Sequence, residues 1–88
     1  MIFDADTERA TANRDFDVCV IGSGPAGITL ARRLAASGAS VALMEGGDYD
    51  FSERSQAIYR GDNIGLDYFA LDGARVRQFG GSSNHWGG

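Results

Sequence analysis

Along this chain the apolar residues gather in two short runs that flank one helical stretch. Phe16-Asp17-Val18-Cys19-Val20-Ile21 is rich in β-branched residues and ends at a glycine. That pattern predicts a buried strand of a parallel sheet, apolar on both faces, with Cys19 as a small core residue. From Ala26 to Ser37 the spacing turns helical. Ala26, Leu30 and Leu34, with Gly27 and Ala31, recur at i,i+4, and Arg32 and Arg33 are left to face water. Pro25 suits the first helical turn, where its missing N–H costs nothing, and Gly38 suits a left-handed stop. Val41-Ala42-Leu43-Met44 is a second apolar run, too short for a helix. Strand, helix and strand within about thirty residues make a βαβ unit with a right-handed crossover.

Outside this unit the pattern weakens. Residues 1–14 are polar and aperiodic and read as an arm; residues 15–88 hold the folded part. Asp50 followed three residues later by Glu53 is a capping pattern, which predicts a short helix over Phe51–Tyr59. Tyr68–Leu71 and Ala74–Phe79 flank Asp72-Gly73, and an Asp-Gly pair between two such runs predicts a β-hairpin. The last residues form a glycine-rich run with no core-forming segment. A two-strand parallel unit needs further strands and helices to cover it. The expectation is therefore the N-terminal piece of a longer protein, without its substrate domain and C-terminal catalytic segment.

Composition narrows the function classes. The chain has 88 residues and a net charge of −4, which argues against a nucleic-acid or anionic-membrane surface. No stretch approaches the roughly 18 apolar residues of a membrane helix. The acidic start (Asp4, Asp6, Glu8, Asp15 and Asp17) has the wrong charge for a signal or transit peptide, so a cytoplasmic location is expected. One cysteine and one histidine exclude an internal disulfide and a zinc site built from Cys and His; no metal site is expected. Glycine is the outlier, at 13 residues in clusters without a repeating period.

The first cluster carries the chemistry. Gly22-Ser23-Gly24-Pro25-Ala26-Gly27 is a G-x-G-x-x-G loop leaving a strand and opening a helix. Gly22 makes the tight turn, Gly24 lets the backbone approach a pyrophosphate, and Gly27 lets the helix pack close to the sheet. Phosphates then meet unpaired N–H groups and the positive end of the helix dipole. Glu45, about 20 residues further on, is placed to accept hydrogen bonds from an adenosine ribose, and its charge disfavours a 2′-phosphate. NADP is thereby disfavoured and NAD or FAD remains. The fold class is α/β, an incomplete Rossmann-like dinucleotide-binding βαβ unit followed by the hairpin and a glycine-rich segment.

The order GSGPAG, VALMEGG and RVRQFGGSSNHWGG over residues 15–88 resembles the start of the glucose–methanol–choline family of FAD-dependent oxidoreductases. The resemblance is nearest to its sugar-oxidising branch of pyranose oxidases and sugar dehydrogenases, and residues 50–70 carry no motif of it. It implies FAD as cofactor, with Gly22, Gly24 and Gly27 at the diphosphate and Glu45 at the ribose. It also implies that Arg77, Gly80, Gly81, Ser82, Ser83 and Asn84 pass beside the diphosphate and flavin. Small residues there permit close backbone approach, and successive N–H groups make an anion-binding nest. Some members of the family join a histidine at the place of His85 to the flavin 8α-methyl group, and others hold FAD without a covalent link. The family's catalytic histidine lies near the C-terminus of a much longer chain, so this chain carries no catalytic residue.

The resemblance implies hydride transfer from an alcohol or sugar C–OH group to flavin N5, with oxygen, a quinone or a cytochrome as electron acceptor. Two alternatives stay open. One is another flavoprotein class, such as an amine oxidase or a disulfide reductase, which would share GSGPAG. The other is a dinucleotide-binding module without catalysis.

Overall fold

The computed structural model describes residues 2–7 and 14–85. The arm is thus described only in part, and Trp86 and the final two glycines lie outside the described residues. Strand β1 (Val18–Ile21), helix α1 (Pro25–Ala36) and strand β2 (Val41–Met44) follow in order. The two strands pair in parallel, with Val18 opposite Val41 and Ile21 opposite Met44. This is the expected α/β unit, an incomplete Rossmann-like fold.

Local chemistry fixes the ends of these elements. At their start, Asp17 and Ser40 clip the strands together: the Ser40 amide donates to Asp17 Oδ2 at 2.9 Å and the Asp17 amide donates to Ser40 Oγ at 2.9 Å. The hydrogen bonds from the Ser40 amide and hydroxyl hold the Asp17 carboxyl below its ordinary value, against a smaller opposing effect of burial. At the far end, the Gly22 amide donates to the Met44 carbonyl at 2.7 Å, so the glycine loop leaves directly from the paired strands. Pro25 stands in the first turn of α1, and Gly38 ends it at φ +98°.

Burial departs from the expectation of a strand covered on both faces. Val20 and Ala31 are the buried apolar residues among those described. Val18 and Val20 turn toward α1, while Cys19 and Ile21 face the other way and are exposed, Ile21 at 87%. Strand residues alternate between faces, and α1 covers one face only. Cys19 is therefore not a core residue here. The helix is also rotated from its expected seat. Ala31, with the half-buried Ile28 and Leu34, faces the sheet, whereas Ala26 and Leu30 are exposed beside Thr29 and Arg33.

The region after β2 is built from single turns. Helix α2 (Glu53–Gln56) runs into a 3-10 turn over Ala57–Tyr59. It ends where expected, but its cap is Ser52, whose Oγ accepts from the Ser55 amide at 3.1 Å. Asp50 does not cap it. Ser52 takes the role because its hydroxyl also donates to Asp48, which holds it in place.

The predicted hairpin is absent. Asp72-Gly73 lies within a helical turn, α3 (Leu71–Ala74), closed by a bond from the Gly73 amide to the Ala70 carbonyl at 2.9 Å. The backbone groups that a hairpin ladder would use are taken elsewhere. Gln56 binds the carbonyls of Asp72 and Arg75 and the amide of Arg77, and Gln78 pairs in parallel with Asp48. Tertiary partners outweigh the local turn preference.

Candidate functional site: two glycine clusters joined at a buried serine

The two glycine clusters meet at the start of α1, where Gly81 lies against Gly24. Gly24 is the residue before the helix, in extended backbone with no side-chain cap, and Pro25 has no N–H to offer. The first intrahelical bond comes from the Ile28 amide to the Gly24 carbonyl at 3.0 Å. The amides of Ala26 and Gly27 therefore have no intrahelical partner and meet the positive end of the dipole. No acidic side chain occupies the first turn. A Cβ on Gly24 would meet nothing within 4 Å, so its backbone is open to an approaching group.

Gly27 does what its place in the loop requires. A Cβ there would stand 1.8 Å from the Gly22 carbonyl oxygen, so only glycine lets the helix lie this close to the loop. Gly81, from the second cluster, also makes a close approach, though a looser one: its Cβ would stand 2.9 Å from Gly24 Cα. The chain reaches that position through Gly80, at φ +90°, and a 3-10 turn over Gly81–Asn84. Tyr49 and Phe79 stack at 5.3 Å between centroids and hold the second cluster against the segment that follows β2.

Ser23 joins these parts. It is fully buried. Its hydroxyl donates to Glu45 Oε2 at 2.6 Å and its amide donates to the same oxygen at 3.0 Å. Its carbonyl accepts from the Gly80 amide at 2.9 Å, with the hydroxyl oxygen 3.2 Å from that amide. One small side chain thus ties the first glycine loop, the acid after β2 and the second glycine cluster together. Sequence reasoning counted Ser23 only as a loop member. Its signal was a small hydroxyl residue between two obligatory glycines, which by itself says nothing about partners 22 and 57 residues away.

Glu45 is consequently more constrained than a solvated strand-end carboxylate. Its second oxygen accepts from the Gly47 amide at 2.7 Å. Burial pushes its carboxyl up, but hydrogen bonds from the Ser23 hydroxyl and from the amides of Gly47, Ser23 and Gly46 outweigh it, and the net shift is downward. The carboxylate is charged and fixed in direction, with lone pairs left over to accept from a diol.

Arg77 lies beside this acid rather than on a hairpin. Its Nη1 donates to Ser55 Oγ at 2.9 Å, and a Cβ on Gly46 would stand 2.5 Å from its Nη2. Arg77 is half-buried, and no carboxylate pairs with it among the described residues. Ser82, Ser83 and Asn84 spend their side chains on the local turn. Ser82 Oγ accepts from the Val76 amide, Ser83 Oγ donates to the Gly80 carbonyl, and Asn84 Nδ2 donates to the carbonyls of Phe79 and Gly81. These three shape the cluster. His85 follows it, exposed, its amide bonded to the Ser82 carbonyl at 3.0 Å. Ser55 and Gln56, both buried and polar, were missed by sequence reasoning because residues 50–70 match no motif.

The parts fit a dinucleotide. The loop offers an open backbone, unpaired amides and no acidic group in the first helical turn; beside it stand a fixed carboxylate for a ribose and a half-buried cation with no ion-pair partner among the described residues. No group of three or more metal-ligating side chains is found among the described residues.

Comparisons with known proteins agree at this level. The chain is 44% identical over 63 residues to 6-methylpretetramide 4-monooxygenase of Streptomyces rimosus, which covers 69% of this chain and 15% of that protein. It is 50% identical over 38 residues to thiamine thiazole synthase of Solidesulfovibrio magneticus, covering 43% of this chain and 14% of that one. The thiamine thiazole synthase of Desulfosudis oleivorans is 48% identical over 44 residues, covering 50% and 17%. The chain thus spans under a fifth of the length of these relatives. No solved structure matches significantly. The glucose–methanol–choline family is not among these matches. The sequence profile of the pyridine nucleotide-disulphide oxidoreductases, which bind FAD or NAD(P), matches residues 16–63. That match takes in both strands, the glycine loop and Glu45, more than half of the chain, and so the chain belongs to the pyridine nucleotide-disulphide oxidoreductase family.

Proposed function

We propose that this chain is the FAD-binding portion of a flavin-dependent oxidoreductase and holds the ADP part of the cofactor. The observation that carries the reading is the seat of Gly81 on Gly24, with Ser23 bonded to both Glu45 and Gly80. A nicotinamide-binding βαβ unit needs only the loop, the helix and the acid. A second glycine segment folded back onto the loop supports the larger cofactor, whose diphosphate and flavin it would flank. Gly22, Gly24, Gly27 and the amides of Ala26 and Gly27 would hold the diphosphate, Glu45 the ribose, and Gly80 to His85 the approach to the flavin.

Within that reading we assign the reaction to oxidation of an alcohol or sugar C–OH group, as in the glucose–methanol–choline family. The support is the run from Arg77 to His85, which lies beyond the segment matched by the family profile. Bound there, FAD would supply the electron sink for a hydride leaving the substrate carbon. A second reading, monooxygenation, is favoured by the 63-residue likeness to a monooxygenase. A cytoplasmic location remains our proposal; no helix among the described residues is long and apolar enough to cross a membrane.

The full-length protein is purified and its visible spectrum recorded, then titrated without oxygen. Flavin bands that bleach with a sugar or alcohol alone are expected. Bleaching only by a reduced nicotinamide, with oxygen then consumed on a substrate, selects the monooxygenase reading. A protein that carries no flavin and takes up NAD instead overturns the FAD assignment.

A further inference from the structure

We propose that Ser55 and Gln56 are positioning residues that hold Arg77 in readiness for the cofactor's anionic diphosphate. The inference rests on the FAD reading above and goes beyond it, because neither residue belongs to a nucleotide motif. Helix α2 is a single turn, yet its two buried residues are both polar. Buried polar side chains cost stability unless they are bonded, and here every bond is spent on one short segment. The Gln56 amide nitrogen donates to the carbonyls of Asp72 and Arg75, and its oxygen accepts from the Arg77 amide at 2.9 Å. The Ser55 hydroxyl donates to the Arg77 carbonyl at 3.1 Å and accepts from Arg77 Nη1 at 2.9 Å. Both backbone groups of Arg77 and one arm of its guanidinium are therefore fixed by two adjacent side chains.

What is fixed is a cation with no ion-pair partner among the described residues. Arg77 is half-buried and lies over Gly46. If α2 served folding alone, apolar residues at 55 and 56 would fill the space at lower cost, and the guanidinium would be free to reach solvent. Holding an unpaired charge rigid disfavours the free protein and favours a bound anion, since the ordering is already complete when the ligand arrives. Bidentate donors on a preorganised guanidinium suit phosphate oxygens.

The test uses flavin-free full-length protein titrated with ADP and, separately, with adenosine. Ser55→Ala, Gln56→Met and Arg77→Met are each expected to weaken ADP about tenfold, the effect of one charge-assisted hydrogen bond, while adenosine affinity stays within about twofold. Ser55→Thr, which keeps the hydroxyl, is expected to restore ADP binding. In the Arg77→Met background, Ser55→Ala is expected to cause no further loss, because the two act through one cation. A parallel fall in ADP and adenosine affinity, or additive losses in the double variant, overturns the positioning role and leaves the FAD reading intact. If Gln56→Met does not fold, Ser55→Ala decides alone. If the unaltered protein binds neither ADP nor FAD, the FAD reading fails and this inference falls with it.

Discussion

Replacing Gly27 by alanine sets two physical effects of opposite sign against each other. Intrinsic helix propensity favours alanine over glycine inside a helix by about 1 kcal/mol. Against it stands the geometry: the new Cβ would lie 1.8 Å from the Gly22 carbonyl oxygen, where a carbon–oxygen contact wants roughly 3.3 Å. About 1.5 Å of separation must therefore be found. Gly22 cannot supply it, because its amide is bonded to Met44 at 2.7 Å and its backbone sits at φ +102°. The helix has to lift from the loop, which spoils the packing of Ala31 on Val20 and the approach of Gly81 to Gly24. Overpacking of this kind costs roughly 1–3 kcal/mol even where flexible side chains can give, and here the obstacle is backbone. A net loss of about 2 kcal/mol or more is expected for Gly27→Ala, with loss of FAD retention. Gly24→Ala is the control, since its Cβ meets nothing and its φ of −71° is ordinary. It is expected to leave stability within about 0.5 kcal/mol while weakening FAD, because the methyl group would stand where the proposed function puts the diphosphate. Urea denaturation midpoints and FAD affinities of the full-length protein read both. A Gly27→Ala variant as stable as the parent would refute the reasoning.

Other substitutions probe the rest of the site. Glu45→Ala is expected to weaken FAD by about 1–3 kcal/mol, the loss of a charge-assisted hydrogen bond, measured by fluorescence titration. Because the folded Glu45 carboxyl is held below its ordinary value, the stability it contributes is complete above about pH 4.3 and is lost as pH falls through the lower folded value. The stability gap between the parent and Glu45→Gln should accordingly be full at neutral pH and close on acidification; a gap unchanged down to pH 3 would contradict that sign. His85 is exposed at the end of the second cluster. Acid precipitation of the holoprotein is expected to release the flavin into the supernatant; flavin kept on the pellet of the parent protein and released from His85→Ala would instead show a covalent bond. Residues 1–88 expressed alone are expected to show no cooperative thermal transition, given a core of Val20 and Ala31 among the described residues.

The sequence determined the local part of this protein: β1, α1, β2 and the loop between β1 and α1. These follow from side-chain period, a proline in the first helical turn, a glycine stop and three glycines at fixed spacing, and each is a property of neighbours in the chain. The tertiary structure decided where the remainder goes. Asp72-Gly73 has the composition of a hairpin turn and forms a helical turn instead, because Gln56 and Asp48 offer its neighbours better partners. Cys19 and Leu30 read as core residues and are exposed, since one helix covers one face of a two-strand sheet. The roles of Ser23, Ser55 and Gln56 were invisible beforehand for a related reason. A buried hydroxyl or amide has no periodicity, and its meaning depends on carbonyls, amides and charges that only folding brings within about 3 Å.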